Sequence, residues 1–113
     1  MKKNEPNWDT IHLTKPYKDL RESLLQQLIQ DGKNTPQNID LIGTYMSFWA
    51  TVEQLKWDIK ERGVTVEYYT AKGDVNYKNN GSMAEMVKIN GQMLRILQQL
   101  NIQATMSGED DEL

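Results

Sequence analysis

The stretch Pro36-Gln-Asn-Ile-Asp-Leu-Ile-Gly-Thr-Tyr-Met-Ser-Phe-Trp-Ala-Thr-Val-Glu-Gln-Leu-Lys-Trp-Asp-Ile-Lys-Glu-Arg62 decides the fold. Leu41, Tyr45, Phe48, Val52, Leu55 and Ile59 succeed one another at spacings of 4, 3, 4, 3 and 4. That is the 3.5-residue repeat of a helix with a sustained apolar seam. Thr35 suits the N-cap, Pro36 the first helical position, and Gly63 the left-handed residue that ends a helix. A continuous helix of this length is about 40 Å long at 1.5 Å per residue. A short chain built on such a rod is expected to be elongated, in the manner of an assembly subunit.

Working outward toward the N-terminus, Gly32-Lys33-Asn34-Thr35 is a short linker, so the helix before it must be a spatial neighbour. That first helix is predicted from Pro16 to Asp31, with Tyr17, Leu20, Leu24 and Leu28 on one face and Leu25 and Ile29 beside them. Residues 1–15 lack periodicity and read as a flexible basic arm. Its lone Trp8 is either a contact residue for a partner or a side chain that packs back onto its own domain.

Beyond Gly63 the period changes to two. Val64, Val66 and Tyr68 alternate with Thr65, Glu67 and Tyr69, Ala71-Lys72-Gly73-Asp74 supplies a turn, and Val75-Asn76-Tyr77 begins a return strand. A hairpin over residues 64–77 is marginal alone in water and must lean on the helices or on another chain. Lys78-Asn79-Asn80-Gly81 breaks the strand, and Ser82 with Glu85 forms a capping box. The third helix is predicted from Met83 to Asn101, with a seam of Met83, Met86, Asn90, Met93, Leu97 and Leu100. Asn90 holds a position where a polar residue can fix register and oligomer state; alternatively it sits at a seam edge and reaches water. Val87 with Leu94, and Ile89 with Ile96, flank this seam. An apolar surface so wide is more than one partner helix covers.

The expected fold is mainly α with one β-hairpin: N-terminal helix, long central helix, hairpin and C-terminal helix in a ring-forming oligomer. The 113 residues divide into the arm at 1–15, a helical oligomerisation and DNA-binding core at 16–102 and an acidic tail at 103–113. The net charge of −3 conceals an asymmetry, since Glu109, Asp110, Asp111 and Glu112 contribute −4. Among the first 21 residues, five basic side chains oppose three acidic ones. A basic start and an acidic end point to two partners, or else to two solvated tails.

Without cysteine, disulfides and thiolate metal sites are excluded, and a single histidine, His12, cannot build a His-rich metal centre. No apolar run approaches the roughly 18 residues that span a membrane. Lys2 and Lys3 are followed by Asn-Glu-Pro-Asn-Trp, which lacks the apolar region of a signal peptide, so a cytosolic protein is expected. None of the seven glycines lies in a phosphate-loop frame, and nothing offers a nucleophile, base and orienter together. An enzyme is therefore not expected, nor any cofactor. Lys2, Lys3, Lys15, Lys18, Arg21 and Lys33 cluster in the N-terminal third, where they supply phosphate contacts that multiply if many copies are held together.

Three segments carry a family resemblance. They are Tyr45-Met-Ser-Phe-Trp-Ala-Thr-Val-Glu-Gln-Leu-Lys with Ile59-Lys-Glu-Arg-Gly-Val-Thr-Val, the hairpin Tyr69-Thr-Ala-Lys-Gly-Asp-Val, and Lys78-Asn-Asn-Gly-Ser leading into Met86 to Ile102. Over roughly residues 36–102 this order resembles the small subunit of tailed-bacteriophage terminases, in the branch where a long helix precedes a short hairpin. Asn80-Gly81 stands where that family usually has Asn-Pro, and an acidic end replaces its Gly-Leu-Thr-Pro-Ser-type tail.

The resemblance implies a non-catalytic subunit in the cytoplasm of the bacterial host. Such a subunit forms homo-oligomeric rings, recognises double-stranded viral DNA, and recruits and regulates the large terminase subunit, the motor and nuclease of genome packaging. On that basis DNA is assigned to Lys2, Lys3, Lys15, Lys18, Arg21 and Lys33. The inter-subunit wall is assigned to Tyr45, Phe48, Trp49, Val52, Met86, Asn90, Met93 and Leu97, and large-subunit contact to Glu109, Asp110, Asp111 and Glu112. The alternative is a small helical DNA-binding regulator or protein-interaction adaptor.

Overall fold

The computed structural model describes residues 4–102. Trp8–Leu13 forms a short 3-10 helix, followed by α1 (Lys15–Gln30), α2 (Pro36–Arg62), β1 (Thr65–Tyr69), β2 (Val75–Asn79) and α3 (Gly81–Leu100). The expected mainly-α order with one hairpin is the order observed. The molecule measures 61 × 33 × 27 Å with a radius of gyration of 17.9 Å. A compact domain of this size has a radius near 13 Å, so the subunit is elongated along α2.

The ends of α2 are set by local chemistry. Thr35 Oγ1 accepts from the Asn38 N–H at 3.2 Å, and Pro36 follows at the first helical position, where its missing N–H costs nothing. At the other end Gly63 takes φ +87°, a conformation a side chain would strain, and its N–H closes the helix on the Ile59 carbonyl at 2.7 Å.

Two apolar clusters hold the helices together. In the first, Leu24 and Leu28 of α1, Ile42 and Met46 of α2, and Ile96 and Leu100 of α3 are buried together with Ile102. In the second, Val52 meets Ile89 and Met93, with Tyr45, Phe48, Trp49, Leu55 and Met86 packed around them. Each fully buried side chain of this kind stabilises by about 1.5–3 kcal/mol. The α3 seam is shifted from the expected one at two positions. It runs Met86, Ile89, Met93, Ile96, Leu100, so Ile89 replaces Asn90 and Ile96 replaces Leu97 as the innermost residues, and Asn90 is exposed. Both lines keep the 3-4 spacing. The one that buries isoleucine rather than an amide is favoured, because an unpaired buried amide is penalised.

The hairpin pairs β1 and β2 antiparallel, Thr65 opposite Asn79 and Tyr69 opposite Val75. Thr70 closes the loop: its hydroxyl accepts from the N–H groups of Lys72 and Asp74 at 3.3 and 3.2 Å. Every strand residue except Val66 is exposed, so the hairpin does not lean on the helices of its own chain.

What fixes its base is polar. Asp58 Oδ2 accepts from the Ser82 hydroxyl at 2.6 Å, Arg62 Nη2 at 2.8 Å and Asn80 Nδ2 at 3.1 Å. The other oxygen, Oδ1, accepts from Arg62 Nε at 2.6 Å. Asn80 is almost wholly buried; its amide also donates to the Gly63 carbonyl at 2.9 Å, and its Oδ1 accepts from the Ser82 N–H at 2.9 Å. The N-cap of α3 is therefore Asn80, two residues before the expected Ser82, because the Ser82 hydroxyl is engaged by Asp58. Arg62 above all, then Ser82, hold the Asp58 carboxyl well below the usual carboxylate range.

Candidate functional site

The residues assigned to DNA fall into three environments. Lys2 and Lys3 lie outside the described residues. Lys15 forms an i,i+4 ion pair with Asp19 on the exposed side of α1. Lys18 and Arg21, one helical turn apart, line a cleft with His12, Tyr17 and Glu22, and neither pairs with a carboxylate among the described residues. Their i,i+3 spacing puts both cations on one face. Lys33 is half-buried at the opposite end of α1, where its ammonium donates to the Leu100 carbonyl at 3.4 Å. There it offsets the negative end of the α3 dipole. The structure thus brings Lys18 and Arg21 together and leaves Lys33 apart from them.

Of the side chains assigned to the inter-subunit wall, Val52 and Met93 are buried inside the chain, and Tyr45, Phe48, Trp49, Met86 and Leu97 pack against its own clusters. Burial pushes the Tyr45 phenol up from its ordinary value. Asn90 alone of the eight is exposed. The apolar surface that remains uncovered is elsewhere. On α3 it includes Met83, Val87 and Leu94, the last two 70% and 55% exposed; on the hairpin, Tyr68, Tyr69, Val75 and Tyr77. The register places Tyr69, Val75 and Tyr77 on one face of the ribbon. A groove lined by Val64, Asn79, Met83 and Val87 joins the hairpin base to α3.

A third feature was not foreseen from the sequence. The 3-10 helix places Trp8 beside α2, so that Trp8, Trp49 and Trp57 line one cleft of about 440 Å³ together with Pro6 and Ile11. Trp49 also meets Tyr17 edge-to-face at 5.8 Å. Glu53, Lys56 and Lys60 also line it; Lys56 pairs with Glu53 at 3.1 Å, and Lys60 Nζ sits 5.8 Å from the Trp57 ring centroid. The Trp57 indole N–H is buried without an acceptor among the described residues. The spacing of Trp49, Glu53 and Trp57 along α2 was the available signal. Trp8 lies in a segment without periodicity, and of its two readings the structure adopts packing onto its own domain.

The chain is an elongated three-helix body with a projecting hairpin, a basic face on α1 and exposed apolar side chains on α3 and the hairpin. The family model described as "Phage terminase, small subunit" matches residues 18–105, and the chain belongs to that family. No curated protein and no solved structure matches it. Among the described residues, no helix is long and apolar enough to cross a membrane.

Proposed function

We propose that this chain is a non-catalytic packaging subunit in the host cytoplasm that assembles into a ring, binds double-stranded viral DNA and engages the large terminase subunit. Family membership over residues 18–105 is the observation that carries this reading. Lys18 and Arg21 support a DNA-facing role for α1, with Lys15 beside them and Lys2 and Lys3 upstream. The uncovered face of Met83, Val87, Leu94, Tyr69 and Tyr77 supports assembly, and a second copy is its occupant: copies repeated about an axis each offer the same apolar strip. The seam residues Tyr45 to Leu97 then act indirectly, by stiffening the wall that carries this strip. Glu109, Asp110, Asp111 and Glu112 are assigned to the large subunit as the acidic pole of the chain.

Phosphate contacts release counterions, so each one lost lowers the slope of log K against log salt by about 0.9. Replacing Lys18 and Arg21 by glutamine is therefore expected to weaken DNA binding and to flatten that slope by about 2 per engaged subunit. Unchanged affinity and slope in a salt titration would remove α1 from the interface.

A further inference from the structure

The tryptophan cleft is absorbed by neither the basic face nor the assembly face. Its apolar lining comes from Trp8, Trp49 and Trp57, and two cations, Lys56 and Lys60, stand one helical turn apart at its edge. Lys60 pairs with no carboxylate among the described residues, and Trp57 holds a buried N–H with no acceptor there. A ligand suited to this site brings carboxylates beside an apolar group. The sequence holds one such segment, Glu109-Asp-Asp-Glu-Leu113, four carboxylates followed by leucine.

Reach is the second consideration. The chain leaves α3 at Ile102, which is buried in the cluster containing Ile42, and Lys33 ties Leu100 to the same end of the molecule. From Ile42 to Lys56 and Lys60 is about 21–27 Å along α2 at 1.5 Å per residue. Seven to ten residues, the separation in sequence from Ile102 to Glu109–Glu112, reach at most about 23–36 Å at 3.3–3.6 Å each. Span and chain length agree.

We propose that the cleft between the 3-10 helix and α2 receives the acidic run Glu109–Glu112 of the same chain, with its carboxylates at Lys56 and Lys60 and Leu113 against the indoles. Glu53 opposes this contact through its pair with Lys56, so Lys60 carries more of the attraction. The contact is distinct from the assignment of the tail to the motor subunit and does not depend on it.

All three tryptophans of the chain line this cleft, so the full-length protein labelled with 5-fluorotryptophan reports on it directly by fluorine NMR. Single Trp→Phe variants assign the three signals. Converting residues 109–112 to Gln, Asn, Asn and Gln is expected to shift the Trp57 signal. The same shift is expected in about 1 M salt, where screening acts within about 3 Å. The pair Lys56→Glu and Lys60→Glu is expected to reproduce it, and lysines at 109–112 in that background to restore the original position. Tail changes that leave every signal in place would overturn the proposal. So would signals that respond only when a short single-stranded oligonucleotide is added, or only when a second, tail-bearing copy is mixed in. Substitutions that unfolded the chain would move every tryptophan signal, so a null result cannot be ascribed to unfolding.

Discussion

The two ends of this subunit are held by different forces. At one end α1, the first half of α2 and the last half of α3 share a cluster of seven buried apolar residues, from Leu24 to Ile102. At the other end the chain narrows to α2, the start of α3 and a hairpin with no buried strand residue. There the anchor is a polar knot of Asp58, Arg62, Asn80 and Ser82. Apolar burial gives stability that needs no partner, whereas hydrogen bonds fix direction with a modest net gain. The three-helix end is therefore a self-sufficient anchor. The hairpin end is oriented by hydrogen bonds and leaves Tyr69, Val75 and Tyr77 exposed.

The largest expected effect that sharpens this contrast is in the anchor. Met46→Ala removes a side chain with no exposure and is expected to destabilise the isolated chain by about 2–5 kcal/mol in denaturant unfolding. Tyr77→Ala on the hairpin is expected to change the same measurement by less than about 0.5 kcal/mol, as surface substitutions do. Equal losses at the two sites would erase the distinction.

Next comes the knot. Asp58→Ala removes a carboxylate that accepts from three side chains, one of them charged, and is expected to cost about 2 kcal/mol. The accompanying loss of hydrogen-exchange protection should be confined to the hairpin base and the first turn of α3. If protection instead fell across the Leu28–Ile96 cluster, the two ends would be one cooperative unit.

A smaller effect is the pH dependence of the knot. Because the folded Asp58 pKa lies below its unfolded value near 3.9, its contribution is complete above that pH and is lost as pH falls toward the lowered value. Wild-type stability is expected to decline below about pH 4 more steeply than that of Asp58→Asn. Parallel curves for the two proteins would show that Asp58 is not the titrating group.

Much of this architecture was legible in the chain. The caps of α2, the switch to a period of two after Gly63 and the turn at residues 71–74 are local signals, and the elements followed them. What escaped was partnership. The 3-4 repeat on α2 and α3 has the same appearance whether two helices of one chain or of two chains meet, so Val52 and Met93 read as a wall between subunits although they meet inside one. Register escaped for a similar reason, since Met86-Ile89-Met93 and Met86-Asn90-Met93 both cover seven residues in one step of three and one of four. The role of Asp58 could not be read from the sequence, because its partners Asn80 and Ser82 lie 22 and 24 positions away. The tryptophan cleft joins residues about 40 positions apart through a helix without period. The basic side chains were readable as a cluster in sequence, but only the fold separates Lys18 and Arg21 from Lys33.

On the proposed reading, a second copy completes the hairpin end through Met83, Val87, Leu94, Tyr69 and Tyr77. Native mass measurement of the wild-type chain beside Val87→Asp/Leu94→Asp tests it most directly. Both altered residues are exposed in the single chain, so the double variant is expected to keep its helical circular dichroism. The wild type is predicted to give one discrete closed oligomer and the variant a folded monomer. A wild type that stays monomeric at every concentration, or a variant that assembles as the wild type does, would contradict it.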